Sequence, residues 1–242
     1  MMNIIRIESA DSTNLLLKEW SEKQRWEEGT TLFARNQTAG RGQMGNHWEA
    51  EADKNITCSI LLYPVFLPAK QHFLLSETIA LGVKKTLDDY TEKISVKWPN
   101  DIYFEDRKIA GILIENEWIG SEISRSIVGI GLNVNQEVFY SNALCPVSLK
   151  QILGKDTDLD ALLKNMLRHI EELYGKLKAG EIGLISQMYQ ESLYRKFGFY
   201  PYQDQKGCFE ARIQSVSADG FLSLETREGE ERRYAFKEVV FI

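Results

Sequence analysis

Residues 40–48 read GRGQMGNHW: three glycines within six residues, one arginine among them, and a tryptophan closing the run. Glycine accepts positive φ and lets a ligand come close to the backbone, so such a run can wrap an anion, with Arg41 adding a permanent charge. Neither GxGxxG nor GxxxxGK[ST] occurs here, and on residue chemistry alone a flexible surface loop is the commoner reading of such a run. A second polar cluster, Ser12-Thr13-Asn14, stands where a helix should begin. It can cap that helix or turn two hydroxyls and an amide towards a neighbouring site. A third, Lys97-Trp98-Pro99-Asn100-Asp101, puts a cation and a carboxylate on either side of a proline. Cys58, Cys145 and Cys208 are odd in number and widely spaced, and His47, His72 and His169 show no ligand spacing. Neither a disulfide framework nor a zinc site is expected.

The elements that must hold these residues follow from periodicity. Asp11 or Ser12 can cap a helix reaching about residue 26, with Leu16, Leu17 and Trp20 inward. Strands over 30–35 and 55–63 flank the glycine-rich loop, and the second is so apolar that both its faces should be buried. Leu75, Ile79, Val83 and Leu87 predict a helix within 68–90. Then come strands over 94–98 (stopped by Pro99), 102–104, 109–118 and 123–134, with a hairpin turn at 105–108 that makes Lys108, by position alone, a solvated turn residue. This meander predicts an α+β fold with a mixed, mainly antiparallel central sheet. A long apolar stripe gives a helix over 158–179 with Gly180 just past its end, and a second helix covers 181–194. Beyond that, Pro201, Gly207, Gly220 and Gly229 separate short alternating runs at 208–216, 221–225 and 231–236, the texture of a small β-barrel. The expected domains are therefore 1–194 and 195–242.

With 242 residues, 43% apolar and 26% charged, and a net charge of −6, the chain reads as an ordinary globular protein without a nucleic-acid surface. The start, MMNIIRIESADS, has only a short apolar run broken by Arg6 and Glu8, so it is no signal peptide. No stretch approaches the ~18 apolar residues of a membrane span. A cytoplasmic protein is expected, bound to neither membrane nor nucleic acid, as a monomer or homodimer.

The clusters also occur in a telling order. Ser12-Thr13-Asn14, Gln37-Thr38-Ala39, the loop at 40–48, KWPND at 97–101, RKIAGILIE at 107–115 and GIGLNVN at 129–135 together resemble the biotin–protein ligases, also called biotin–[acetyl-CoA-carboxylase] ligases, of the monofunctional type without a DNA-binding domain. The match runs from Ser12 to Asn135 and continues more weakly to the C-terminus. It implies a class II synthetase-like catalytic domain followed by an SH3-like domain. The implied reaction has two steps: biotin and ATP, with Mg²⁺, give biotinyl-5′-AMP and pyrophosphate, and the adenylate then acylates one lysine of a biotin carboxyl carrier protein. The catalytic motifs begin by Ser12, so no winged-helix domain, and no transcriptional repression, is expected.

The resemblance assigns roles residue by residue. Ser12, Thr13 and Asn14 would meet the ureido ring, with Gln37, Gly40, Arg41, Gly42, Gln43, Gly111 and Leu113 also on the biotin side. Lys108 and Arg41 would be catalytic, countering charge at the carboxylate and α-phosphate. Trp48, Lys97, Asn100, Asp101 and Asn133 would hold the nucleotide, Asn133 by pairing with adenine, and Asp101 would help bind Mg²⁺. The family's loop pattern is G-R-G-R-x-G-R-x-W, and Gln43 and Asn46 stand where the bacterial repressor-type members carry arginine. A neutral amide meets phosphate less strongly than a guanidinium, so weaker retention of the adenylate is expected. Two other readings stay open: a lipoate–protein ligase or octanoyltransferase of the same superfamily, which fits KWPND and GILIE less well, and a catalytically silent biotin- or carrier-binding module, against which the presence of Lys108 and Asp101 weighs.

Overall fold

The computed structural model describes residues 2–140 and 145–242, with Met44 described by its backbone alone. Seven strands form the main sheet: β1 (Ile4–Ala10), β2 (Thr31–Gln37), β3 (Ile56–Leu62), β4 (Ile94–Lys97), β5 (Asp101–Phe104), β6 (Arg107–Ile119) and β7 (Glu122–Leu132). Their order is β1-β2-β3-β7-β6-β5-β4. Only β1 and β2 run parallel; every other pair is antiparallel, so the sheet is mixed and mainly antiparallel as its meander predicts. Strand β3 lies in the middle and is buried along its whole length, which is why it reads as a continuous apolar run.

The helices divide between the two faces. Helix α1 (Thr13–Lys23) covers one, packing Leu17 against Leu32, Leu61 and Ile127. The other face carries α2 (Phe73–Asp88), with α3 (Leu149–Leu153), α4 (Leu159–Lys178) and α5 (Ile182–Glu191) completing the main core. Ile79, Val83 and Leu87 are fully buried on α2. Helix α4 is capped by Asp158, whose carboxylate accepts the Ala161 N–H at 2.9 Å, and is ended by Gly180 at φ +84.

Three local expectations shift. The segment expected as one helix over 68–90 opens with a separate 3-10 turn, Ala69–Gln71, before α2. Residues 4–10, which read only as a short apolar run, form the edge strand β1, with Arg6 and Glu8 exposed and Ile5 and Ile7 packed towards Leu32. The alternation that looked like interruption is that of a half-buried edge strand. The β5–β6 turn is confined to Glu105 and Asp106, with Glu105 at φ 52, so Lys108 belongs to a strand and not to the turn.

Beyond α5, strands β8 (Tyr200–Asp204), β9 (Gly207–Val216), β10 (Leu222–Thr226), β11 (Glu231–Tyr234) and β12 (Val240–Phe241) form a second, wholly antiparallel sheet in the order β11-β10-β9-β8-β12. This sheet is open where a closed barrel was expected, because no ladder joins its edges β11 and β12 among the described residues. It is fastened directly to α2, to α5 and to the residue that follows β4. Trp98 Nε1 donates to Gly220 O at 3.0 Å, Phe73 N donates to Ala218 O at 3.1 Å, and the Gln190 amide exchanges two bonds with the Val216 backbone.

One buried group makes the core sensitive to pH. Glu77 on α2 is fully buried; one carboxylate oxygen accepts Ser186 Oγ at 3.0 Å and the other has no partner. Burial pushes this carboxyl up to about 7 from a usual 4.5. The folded state therefore binds a proton that the unfolded state has released between those values, and stability falls as pH rises through that window. A shift of this size corresponds to a loss on the order of 3 kcal/mol. Glu77→Gln should remove that slope, so chemical denaturation at pH 5 and pH 8 should give nearly equal stabilities for the variant and a clear deficit at pH 8 for the wild type.

Candidate active site

On the α1 face the sheet carries a cavity of about 590 Å³, a volume suited to a small-molecule ligand. Its floor is bare by register. The β6–β7 ladder places Gly111 directly opposite Gly131 and Leu113 opposite Gly129. A Cβ at Gly129 would stand 2.3 Å from Asn14 Oδ1, and one at Gly131 would stand 2.2 Å from the Trp48 indole. Only glycine lets these side chains approach so closely.

Polar groups line one end. Ser12 caps α1 with its backbone alone, its side chain making no capping bond. Thr13 gives Gln37 Oε1 two hydrogen bonds, from its amide at 2.8 Å and its hydroxyl at 2.9 Å. Asn14 Nδ2 donates to Glu115 Oε2 at 2.9 Å and to Leu113 O at 3.3 Å. Ser59 Oγ on β3 links this cluster, 2.7 Å from Thr13 Oγ1 and 2.6 Å from Asn14 Oδ1. Thr13, Asn14 and Ser59 are all buried, so the cluster is fixed before any ligand arrives.

The glycine-rich loop closes above. Gly42 N donates to Asn46 O at 2.7 Å and Trp48 N to Gly40 O at 2.9 Å, with a single 3-10 turn, Gln43–Gly45, at the tip. It is a miniature hairpin, more ordered than its glycine content suggests. Gly40 serves that hairpin: a Cβ there would lie 2.4 Å from Trp48 O, and the residue does not line the cavity. Arg41 pairs with Glu115 at 3.2 Å.

Lys108 reaches the cavity through a bulge. Across β5–β6, Ile102 faces Ala110 but Tyr103 faces Lys108, leaving Ile109 as an extra residue. The extra residue flips the alternation, so Lys108 shares the face of Gly111 and its ammonium pairs with Asp101 at 2.7 Å. Beside it, Lys97 Nζ donates to Tyr103 Oη at 3.0 Å and lies 4.7 Å from the Tyr103 ring, 5.3 Å from Phe241 and 5.9 Å from Tyr194. Burial holds the Lys97 ammonium below its usual range; Asp101 pulls it upward, while Arg195 and Lys108 add to the lowering. Asn100 Nδ2 is committed to Ile112 O at 2.7 Å.

Most residues singled out in the sequence meet here: Ser12, Thr13, Asn14, Gln37, Arg41, Gly42, Gln43, Trp48, Lys97, Asn100, Asp101, Lys108, Gly111 and Leu113 all line the cavity. Asn133 does not. It is buried, donates from Nδ2 to Val147 O at 3.1 Å, and its Oδ1 has no partner. Ser59, Glu115 and the wall formed by Phe236 and Phe241 were not anticipated. A lone serine inside the apolar run of β3 was the available signal for Ser59, and alternation from Gly111 and Leu113 for Glu115. Nothing pointed to Phe241. No group of three His, Cys, Asp or Glu side chains capable of holding a metal occurs among the described residues.

A mixed sheet with this glycine floor, polar end and glycine-rich lid defines a class of ligase domain. The chain belongs to the biotin/lipoate A/B protein ligase family, whose pattern it matches over residues 6–133. Its fold is similar to that of the biotin protein ligase from Aquifex aeolicus in complex with biotin and ATP, with a TM-score of 0.82 and 27% identity, covering 100% of this chain and 99% of that one. It is 27% identical over 212 residues to the bifunctional ligase/repressor BirA of Bacillus subtilis, covering 86% of this chain and 65% of that protein, so the chain spans just under two thirds of that relative's length. A biotin–[acetyl-CoA-carboxylase] ligase of Mycobacterium tuberculosis is 36% identical over 118 residues, covering 45% of this chain and 41% of that one.

The close packing on Gly131 is directly testable. Gly131→Ala should expel the Trp48 indole, cost about 1–3 kcal/mol in stability by overpacking, and red-shift the tryptophan emission. The shift should vanish when the same change is made on a Trp48→Phe background.

Proposed function

We propose that this chain joins biotin to a lysine of a biotin carboxyl carrier protein through biotinyl-5′-AMP. The observation that carries the proposal is one cleft lined both by a pre-formed cluster of donors and acceptors and by several cations, Arg41, Lys97 and Lys108 among them. The relatives' ligands and names support it.

A urea ring needs both donors and acceptors when buried, and Ser12, Thr13, Asn14 and Gln37 supply them. Gly129 seats Asn14 and Gly131 seats the Trp48 indole against the sheet, and the bicyclic ring would pack beside them and Leu113, with the loop residues Arg41 to Gln43 closing that side and Gly40 holding the loop's hairpin. In the first step one biotin carboxylate oxygen attacks the α-phosphorus and pyrophosphate leaves. Both reactants are anions, so the work of the site is to align them and offset their repulsion. Lys108 would touch carboxylate and α-phosphate together in exchange for its partner Asp101, and Arg41 and Lys97 would extend positive charge along the nucleotide. Asn100 Nδ2 is already bonded, so its part is to shape the Pro99–Asp101 corner. Asn133 keeps an unpartnered Oδ1 and its second Nδ2 hydrogen, an acceptor and a donor that would pair with adenine only where this buried side chain is uncovered. Mg²⁺ is usually held by one or two carboxylates together with substrate phosphates, and Asp101 is the carboxylate that would contribute here, where the ion would offset phosphate charge. In the second step the lysine amine attacks the acyl carbon of the anhydride and AMP leaves. We further propose 1–194 as the catalytic unit and 195–242 as the unit that completes its wall through Phe236 and Phe241.

Incubation with ATP, Mg²⁺ and a biotin carboxyl carrier domain should add the mass of one biotin to one acceptor lysine when biotin is supplied, and nothing when lipoate replaces it. An unmodified acceptor, or a preference for lipoate, overturns the proposal. In the same assay Lys108→Ala should stay folded and lose pyrophosphate release by about 10²–10³-fold, the usual consequence of deleting one preorganised electrostatic contact. Release within a few-fold of wild type removes Lys108 from its role.

A further inference from the structure

Glu115 has no place in the catalytic or binding roles given above, yet two side chains that line the cleft, Asn14 and Arg41, converge on it. Its Oε2 accepts Asn14 Nδ2 at 2.9 Å, while Arg41 Nη1 reaches Oε1 at 3.2 Å and Oε2 at 3.4 Å. It stands on β6 two residues beyond Leu113 and four beyond Gly111, on the same face of the strand but outside the cavity itself. A continuous polar chain therefore runs Arg41–Glu115–Asn14–Ser59–Thr13–Gln37, from the glycine-rich loop to the end of β2.

We propose that Glu115 is a positioning residue that ties the lid to the ring-binding cluster, so that the loop is docked and Asn14 oriented by one carboxylate. The proposal rests on the reading of the cleft given above. Two physical points support it. Asn14 can present its amide either way round; with Nδ2 held by Glu115 and the Leu113 carbonyl, Oδ1 must face Ser59, and only one orientation satisfies the whole chain. Arg41 is the loop's one guanidinium, partly exposed, and its carboxylate partner sits on a rigid strand. Charge-assisted bonds are the stronger kind, so this one ties the loop to β6 in addition to the loop's own hairpin bonds, the Trp48 packing and the Lys108 ammonium 5.7 Å from the Trp48 ring.

The two duties separate on substitution. Glutamine keeps an acceptor for Asn14 and loses the charge that holds Arg41; alanine loses both. In ligand-free protein, hydrogen exchange at the Gly42 and Trp48 amides should accelerate at least tenfold in both Glu115→Gln and Glu115→Ala, with thermal midpoints close to wild type. Biotin titrated calorimetrically should bind Glu115→Gln within threefold of wild type and Glu115→Ala at least tenfold more weakly. Pyrophosphate-release kinetics should show the Glu115→Ala loss in KM for biotin with kcat within threefold. Unchanged loop exchange in both variants overturns the tether. Equal biotin affinity in wild type, Glu115→Gln and Glu115→Ala overturns the orienting role. The exchange measurement needs no substrate, so it judges the tether even if the wild-type protein fails to bind biotin, a result that would count against the functional reading instead.

Discussion

A binding cleft in the face of a β-sheet exists only where side chains are missing, and that constraint governs this molecule. Strands normally fill both faces with alternating side chains. Here the register of β6 against β7 brings Gly111 and Gly131 together as a cross-strand pair and sets Gly129 one step along. The bare patch lets Asn14 and the Trp48 indole reach the backbone. A slip of one residue in that ladder would put Ile112 and Ile130 in their place and fill the cleft. The long antiparallel pairing of β6 and β7, continued on β3, is what holds the register.

The same strand solves an electrostatic problem. Cations gathered in one cleft are costly to hold together with no anion present. Each of the two nearest the floor has a carboxylate partner: Lys108 with Asp101, and Arg41 with Glu115. Lys97 is treated differently, resting among the rings of Tyr103, Tyr194 and Phe241 with its charge disfavoured by burial. A polyphosphate bound as proposed would exchange partners with two of these groups and supply counter-charge to the third.

Much of this was legible beforehand, and the exceptions have physical causes. Helix α4 and strand β3 were clear because a long apolar stripe and a fully buried central strand leave unambiguous periods. Strand β1 was overlooked because its exposed Arg6 and Glu8 broke an apolar run that was in truth an alternation. Lys108 was placed in a turn because hairpin chemistry was assigned four residues when two suffice, and because a bulge at Ile109 cannot be seen from spacing. The site residues came from the resemblance and gathered at the cleft almost without exception. Gly40 and Asn133 stand apart, one packing the lid and the other bonded to Val147. Glu115 and Ser59 escaped notice because a side chain that orients others carries no motif of its own. Phe241 was invisible because its importance depends wholly on how the second sheet is fastened.

That fastening has a consequence for how the protein comes into being. During synthesis, residues 12–131 emerge first and already contain the polar cluster, the lid, the bulged strand and the glycine floor. The rings around Lys97 and the cavity wall are completed only by Phe236 and Phe241, some hundred residues later. A nascent chain thus carries a nearly finished cleft that lacks one wall until the second sheet docks. Completion of the cleft is in this way coupled to completion of the fold, and a reactive acyl adenylate would gain its full enclosure only in a chain whose two sheets have come together.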